Sequence, residues 1–245
     1  MNIKYDTNIT VNNMNKKDVI NIMGAIVSDS YFREFVVRKS DASIIRKLPF
    51  GFMRVIPRYY NTYDLVRDDL ALEITPFYEI RFNVLHKWIE KYSKRALQYQ
   101  RDDYSIAFWG DKLGTTNEFF FLENREDFEI DFQKLYIDIV RNAKHVFSKY
   151  SSLDSYYDYC INDVLNGKRQ FPDEGFEWVI EHLIATRIVA PSNYERVKEH
   201  VLQRVDWMMD RGNPNMELYY NDLPMILGDL ESTDFLSGKW GVLPN

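Results

Sequence analysis

The residues of this chain that could support acid–base or metal chemistry are its four histidines and a few closely spaced carboxylates. His86 and Glu90 lie four positions apart, so on a helix their side chains would share one face and could hold a metal ion or a proton. A metal site needs more ligands than this pair supplies, and exposed helices often carry such pairs. We therefore expect a surface pair, and keep His86 and Glu90 as the first candidate catalytic residues.

A second candidate pair, Asp69 and Glu73, lies in a segment where polar and apolar residues alternate. The spacing resembles that of a restriction-type nuclease core, which places a lysine two residues after its second acid. Thr75 stands at that position here, so the sequence lacks the charge partner that metal-assisted cleavage uses. Asp69 and Glu73 are kept as candidate acid–base residues without an assigned reaction.

The later carboxylates and the single cysteine favour structural roles. Glu177 and Glu181 lie beside His182 on the flank of a helical apolar stripe, and we expect them to face solvent. Cys160 is the only cysteine, which excludes an intrachain disulfide and a thiolate metal cage. Because no base neighbours Cys160 in the sequence, we expect a small apolar side chain buried in a helix rather than a nucleophile.

Basic and aromatic residues interleave in the N-terminal half of the chain. Arg54 and Arg58 would project from one face of a strand, close to Tyr60. Guanidinium groups beside aromatic rings suit a phosphate, a stacked base or an acidic partner, so these three are candidate ligand-binding residues. The alternative, which we favour, is an ordinary sheet face whose arginines pair with carboxylates on neighbouring strands, among them Glu73 and Glu79.

Cofactor motifs are missing from the sequence, and the charge is uneven. The chain contains no phosphate-binding glycine loop, dinucleotide fingerprint, nucleophile elbow or metal-protease motif, which indicates no cofactor and no metal site. The net charge of −6 combines +5 over residues 1–100 (16 basic, 11 acidic) with −11 over residues 101–245 (15 basic, 26 acidic). An acidic protein is a poor candidate for non-specific nucleic-acid binding, which needs many phosphate contacts.

Hydrophobic periodicity predicts an α+β fold. A helix over residues 16–27 precedes an antiparallel β-meander of about five to six strands, and a period of about 3.6 residues begins after residue 125. That period predicts a C-terminal layer of about five helices. We predict a mixed α+β sheet region over residues 1–124 and a helical region over residues 125–245, packed together as one continuous globular unit.

Short sequence signals predict how the elements begin, end and connect. The segment from Gly110 to Thr116 lies between two strand-like runs and predicts a hairpin loop. Asn166-Gly167 is typical of a helix C-terminus, and Asn213-Pro214 of a helix N-terminus. Ser192 and Glu195 have the spacing of a capping box, in which each side chain would accept a hydrogen bond from an amide at the start of a helix.

The function expected from the sequence is binding rather than catalysis. No window approaches the roughly 20 apolar residues of a membrane span, and a chain with one cysteine is expected in the cytoplasm. The leading hypothesis is a stoichiometric inhibitor or a toxin-neutralising (immunity-like) protein, with an acidic docking surface within residues 125–235 for a basic protein partner. The alternatives are an enzyme that processes nucleic acid or a phosphate ligand through the basic meander, and a scaffold subunit of a larger complex.

Overall fold

The chain folds into two compact units that interleave along the sequence. The computed structural model describes residues 15–64, 69–113, 120–122, 128–169, 175–235, 237 and 240. Unit 1 comprises residues 1–80 and 106–149, and unit 2 comprises residues 81–105 and 150–245. The division at residue 124 that the sequence favours stays a prediction.

Unit 1 contains an N-terminal helix, a mixed set of short and long strands and one long helix. Its described elements are α1 (Lys16–Val27), β1 (Val36–Arg38), β2 (Ser43–Leu48), β3 (Gly51–Asp64), β4 (Asp69–Phe82, whose last two residues belong to unit 2), β5 (Ile106–Trp109), β6 (Phe120–Leu122) and α4 (Phe128–Lys149). Short 3-10 turns lie at Ser30–Phe32 and Gly110–Leu113.

The strands form one sheet in the order β1-β2-β3-β4-β5, and β6 also pairs with β4. Along β4, Leu72 to Ile74 pair with β6 and Phe77 to Ile80 pair with β5, both antiparallel. β5 and β6 are therefore two segments of one interrupted strand, and the predicted hairpin between them is wrong. Their apolar and aromatic composition indicated both strands, but composition carries no information about the partner, and the 14-residue β4 is long enough to pair with both.

The helices of unit 1 begin where the sequence predicts and pack through apolar and aromatic side chains. The side chain of Asn15 accepts a hydrogen bond from the amide of Lys17 at 2.8 Å, which starts α1 at the predicted residue. α1 contacts β1 and β2. On α4, the ring of Phe147 lies 6.5 Å from Tyr78 of β4 and 5.8 Å from Phe35, so α4 closes an aromatic core.

Unit 2 is helical in its described residues. Its elements are α2 (Asn83–Ile89), α3 (Leu97–Asp102), α5 (Leu153–Tyr157), a π-helical segment (Asp158–Asn162), α6 (Asp163–Leu165), α7 (Phe176–Val189), α8 (Tyr194–Met209), α9 (Pro214–Tyr220) and α10 (Leu223–Ser232). A 3-10 turn at Pro191–Asn193 connects α7 to α8. α7 contacts α2, α5, α8 and α9, so it is the central helix of this unit.

Two of the three predicted helix-end signals are confirmed. Gly167 adopts a left-handed conformation (φ 70°) after α6, and the side chain of Asn213 accepts from two amides at the start of α9. The predicted capping box of Ser192 is wrong. The turn that begins at Pro191 continues directly into α8, so Asn193 is the first flanking residue and makes no side-chain cap.

This arrangement confirms the α+β class, with an N-terminal helix, an antiparallel sheet and a series of C-terminal helices. None of the helices in the described part of the chain has the length and apolar character needed to cross a bilayer.

Candidate functional site

Arg54, a candidate ligand-binding residue, lies inside the sheet of unit 1 and is only 3% exposed. Its Nε donates a hydrogen bond to Oε2 of Glu79 at 2.5 Å, and Nη1 lies 3.9 Å from Oδ2 of Asp41. Burial raises the pKa of Glu79 to about 7, and the positive charge of Arg54 opposes that shift. The guanidinium is thus engaged by carboxylates of its own unit, which is the arrangement that the cross-strand alternative describes.

The other candidates from the sheet lie near one another in unit 1. Arg58 and Tyr60 are exposed, and the guanidinium carbon of Arg58 lies 5.5 Å from the ring centre of Phe77. The hydroxyl of Tyr60 donates a hydrogen bond to Oε1 of Glu73, and this bond raises the pKa of Tyr60. Asp69 begins β4, and its side chain lies outside the described residues.

His86 and Glu90, the helical candidate pair, both line a polar cavity in unit 2. The space between its lining side chains is about 240 Å³, which includes open solvent, and the interior has room for about one water-sized group. Its lining residues come from α2, α3, the segments that flank α3, and α7: His86, Ile89, Glu90, Ser93, Arg95, Gln100, Asp103, Glu177 and Glu181. The expected surface pair is therefore wrong for His86, which is buried, whereas Glu90 is exposed.

His86 lies at the centre of a buried polar chain. Its Nε2 is 2.9 Å from Oγ of Ser105, and its Nδ1 is 3.1 Å from Oε1 of Glu181. The amide of Phe82 donates to the same Ser105 oxygen at 3.0 Å. In the tautomer that carries the ring hydrogen on Nδ1, facing the carboxylate of Glu181, the Ser105 hydroxyl donates to Nε2. Burial and the guanidinium groups of Arg81 and Arg95 hold the pKa of His86 well below 6.5, so the ring is neutral.

Ser105, His86 and Glu181 follow one another in the order serine, histidine, carboxylate, but their surroundings indicate a structural role rather than catalysis. Ser105 is buried, and it is not among the residues that line the cavity. Its oxygen already accepts the Phe82 amide, and a histidine with a strongly lowered pKa is a weak general base. The three side chains therefore anchor the start of α2 and the end of its preceding strand to α7.

Glu177 is a hydrogen-bonded carboxylate in the cavity wall. It is 8% exposed, and its Oε1 accepts from Oγ of Ser93 at 3.0 Å and from the hydroxyl of Tyr219 at 2.7 Å. Glu181, one helical turn later, is 0% exposed. The expectation that Glu177 and Glu181 face solvent is wrong, because α7 is enclosed by neighbouring helices on several sides.

Two arginines hold the loop and helix on the other side of the cavity. Nη1 of Arg81 donates to the carbonyl oxygens of Gln100 and Asp103, each at 2.8 Å. The guanidinium of Arg95 pairs with the carboxylate of Asp103. The backbone carbonyl of Arg95 accepts a hydrogen bond from Nε2 of Gln100 at 2.5 Å. Among the described residues, Oε1 of Gln100 is buried without a hydrogen-bond partner. These contacts fix an acceptor-rich wall.

The exposed side of α8 is a separate feature of unit 2, with its charges sorted into two rows. Helical spacing of three and four residues aligns the acidic row Glu195, Glu199, Asp206 and Asp210, all exposed. The neighbouring row runs Arg196, His200, Arg204, Trp207 and Arg211. The guanidinium carbons of Arg204 and Arg211 lie 3.9 Å and 3.6 Å from the ring centre of Trp207.

Sequence reasoning missed the cavity residues Gln100 and Asp103, and Ser105 beside His86, since their proximity depends on contacts that no local pattern records. One signal could have found the buried carboxylates. The segment Phe176–Val189 is apolar around its whole circumference rather than along one stripe, which is typical of an enclosed helix. Any carboxylate on such a helix has to be buried. In the described part of the chain, no group of three or more His, Cys, Asp or Glu side chains could hold a metal ion.

Comparison with known proteins identifies no relative of this chain. The chain matches no protein-family model, no curated protein and no solved structure.

Proposed function

We propose that this protein is a non-enzymatic cytoplasmic binding protein that docks a basic protein on the acidic row of α8, in the manner of a stoichiometric inhibitor. The observation that carries the proposal is that Glu195, Glu199, Asp206 and Asp210 form no ion pair with a basic side chain of the described residues. Four aligned carboxylates without an ion-pair partner make the potential along this side of the helix more negative than along the neighbouring basic row.

Several other acids at the surface of unit 2 pair with lysines. Lys91 pairs with Asp229, Lys94 with Asp222 at 2.7 Å and Lys198 with Glu231 at 2.5 Å. The alignment of four acids without ion pairs along one helix favours a role in attracting and orienting a positively charged partner. Such complementarity raises the association rate and selects the partner more than it raises affinity.

Trp207 supplies a candidate anchor beside the acidic row. The ring is 37% exposed, and Arg204 and Arg211 stack on it, which limits its motion before binding. Tryptophan and arginine are the residues that most often carry the energy of protein interfaces. Arg54 is hydrogen-bonded to Glu79, and this contact weakens the alternative in which Arg54 binds a phosphate group.

The test compares two triple variants that remove the same charge. Glu195→Gln/Glu199→Gln/Asp206→Asn neutralises the row, and Asp154→Asn/Asp158→Asn/Glu217→Gln neutralises three exposed acids elsewhere in unit 2. Each variant and the wild type serve as bait in host lysate, with quantitative mass spectrometry, and retained basic proteins are then purified for titration. We expect a 1:1 complex whose Kd rises at least tenfold, as an order of magnitude, in the first variant only.

Salt provides the second readout. We expect the wild-type Kd to rise between about 50 and 300 mM salt, because exposed charges are screened over that range. Equal binding by both triple variants, or a Kd that does not change with salt, would contradict docking through the α8 row.

A further inference from the structure

We propose that the cavity of unit 2 is a binding site for an organic ammonium group, such as the protonated amine of a small metabolite or of a lysine side chain. The inference is independent of the α8 surface and of the proposed docking function. It rests on the acceptors that line the cavity, on its charge, on one unsatisfied buried atom and on the space available.

The charge of the lining is negative. Four carboxylates contribute, from Glu90, Asp103, Glu177 and Glu181, against one lining guanidinium from Arg95. The buried guanidinium of Arg81 interacts with Glu181, Asp103 and Glu90, and its inclusion leaves a formal total of −2. His86 adds no positive charge, because its burial and the nearby guanidinium groups of Arg81 and Arg95 keep the imidazole neutral by holding its pKa well below 6.5. A cation that enters the cavity is therefore favoured, and an anion is disfavoured.

Gln100 is the observation that points to a missing donor. The side chain is 7% exposed and lines the cavity, and its Oε1 has no hydrogen-bond partner among the described residues. The amide orientation is set, since Nε2 donates to the carbonyl of Arg95 at 2.5 Å. A buried carbonyl oxygen without a donor is destabilising, and an N–H group of a ligand would remove that cost.

Neither a metal nor an anion fits this arrangement. The described carboxylates do not approach closely enough in groups of three to chelate a metal ion. Arg95 is already paired with Asp103, and Arg81 donates to two backbone carbonyls rather than lining the cavity. An ammonium group has three N–H donors that can reach separate acceptors, which matches acceptors spread around a wall.

The size of the cavity limits the ligand to a small group. The space of about 240 Å³ between the lining side chains includes open solvent, and the interior has room for about one water-sized group. Exposed Glu90 lies at the cavity in a position to attract the cation, while Gln100 and Glu177 are buried in the wall. We infer that the charged head enters and that the rest of the ligand stays near the opening.

The experiment titrates the full-length protein with n-butylammonium, and with n-butanol as the neutral analogue, followed by amide chemical shifts in NMR. We expect saturable shifts around α2, α3 and α7, with a Kd on the order of 1 mM for so small a ligand. n-Butanol should bind at least tenfold more weakly. Equal binding of the two compounds, or no saturation at about ten times that concentration, would overturn the proposal.

Variants and a second ligand complete the test. Glu90→Gln changes an exposed side chain, so it should fold and weaken butylammonium binding about fivefold, a loss near 1 kcal/mol. The control Glu217→Gln, outside the cavity, should bind like the wild type, and a Glu90→Gln Kd equal to that of this control would contradict the proposal. Nα-acetyl-lysine methylamide identifies the source: tighter binding than butylammonium indicates a protein side chain, and weaker binding indicates a free amine.

Discussion

Nε of Arg54 donates a 2.5 Å hydrogen bond to Oε2 of Glu79 inside the sheet of unit 1, where both side chains are buried. Removing two charges from water is costly, and each charge here is tolerated because the other is present. The raised pKa of Glu79, about 7, reflects that cost. Replacing one residue of this pair should therefore have a different effect on stability from replacing both.

We predict that Arg54→Met lowers the free energy of unfolding by about 3–5 kcal/mol, because it leaves Glu79 buried without its cation. The double variant Arg54→Met/Glu79→Leu should recover most of that loss, since no charge remains to be solvated. Urea denaturation at pH 7.5 measures both. A double variant that is no more stable than Arg54→Met would show that the pair is not the source of the loss.

Ser105 should be important for stability even though it takes no part in a reaction. Ser105→Ala leaves the Phe82 amide and Nε2 of His86 without their partner, and we expect a loss of about 1–3 kcal/mol in the free energy of unfolding. Ser192→Ala, at an exposed serine with no described side-chain hydrogen bond, should change it by less than about 0.5 kcal/mol. Equal effects of the two substitutions on the free energy of unfolding would contradict a structural role for the buried hydrogen bonds of Ser105.

His182 should make stability depend on pH. Burial lowers its pKa to about 3 in the folded protein, against 6.5 for an unperturbed histidine. The unfolded chain therefore binds a proton that the folded chain excludes, so this contribution is complete above pH 6.5 and is lost as the pH falls toward 3. Its slope approaches 1.4 kcal/mol per pH unit at most.

The check is urea denaturation of the wild type and His182→Leu at several values of pH between 7.5 and 4.5. The variant should lose stability less steeply on acidification, by up to about one proton. His86 shifts in the same direction and remains in both proteins, so the difference isolates His182. Parallel curves would show that His182 is not protonated on unfolding.

Two glycines should respond to alanine with opposite signs. Gly167 has φ of 70°, so Gly167→Ala should destabilise the protein by about 1 kcal/mol, although a Cβ would meet no atom within 4 Å. Gly24 lies within α1, also with open space around a Cβ, so Gly24→Ala should stabilise by about 0.5–1 kcal/mol. Thermal unfolding distinguishes the two, and changes of the same sign would contradict this interpretation.

The sequence was most informative where one residue type satisfies a local requirement. Asn15 begins α1, and Gly167 and Asn213 mark helix ends, because each acts on backbone groups within four residues. Prediction failed where the partner is distant. The apolar and aromatic runs that indicated β5 and β6 could not show that both strands pair with β4. Ser192 does not cap α8, because a turn that begins at Pro191 continues into this helix.

The candidate cavity was predictable only in part. The spacing of His86 and Glu90 indicated a shared face, and both line the cavity. Their acceptor-rich surroundings come in part from α7, which contributes Glu181 from far along the chain, and in part from α3, which contributes Gln100. Local periodicity places such residues on a helix face, but the packing of neighbouring helices determines whether that face is exposed to solvent.

The interrupted outer strand of unit 1 restricts how other chains can bind to this sheet. Within the described residues, the sheet ends in β1 on one side, with three residues, and in β5 and β6 on the other, with four and three. A foreign strand that adds to a sheet needs a long run of unpaired backbone amides and carbonyls, and segments this short offer few. Recognition by strand addition, and aggregation by the same route, are therefore disfavoured along β1 and β5.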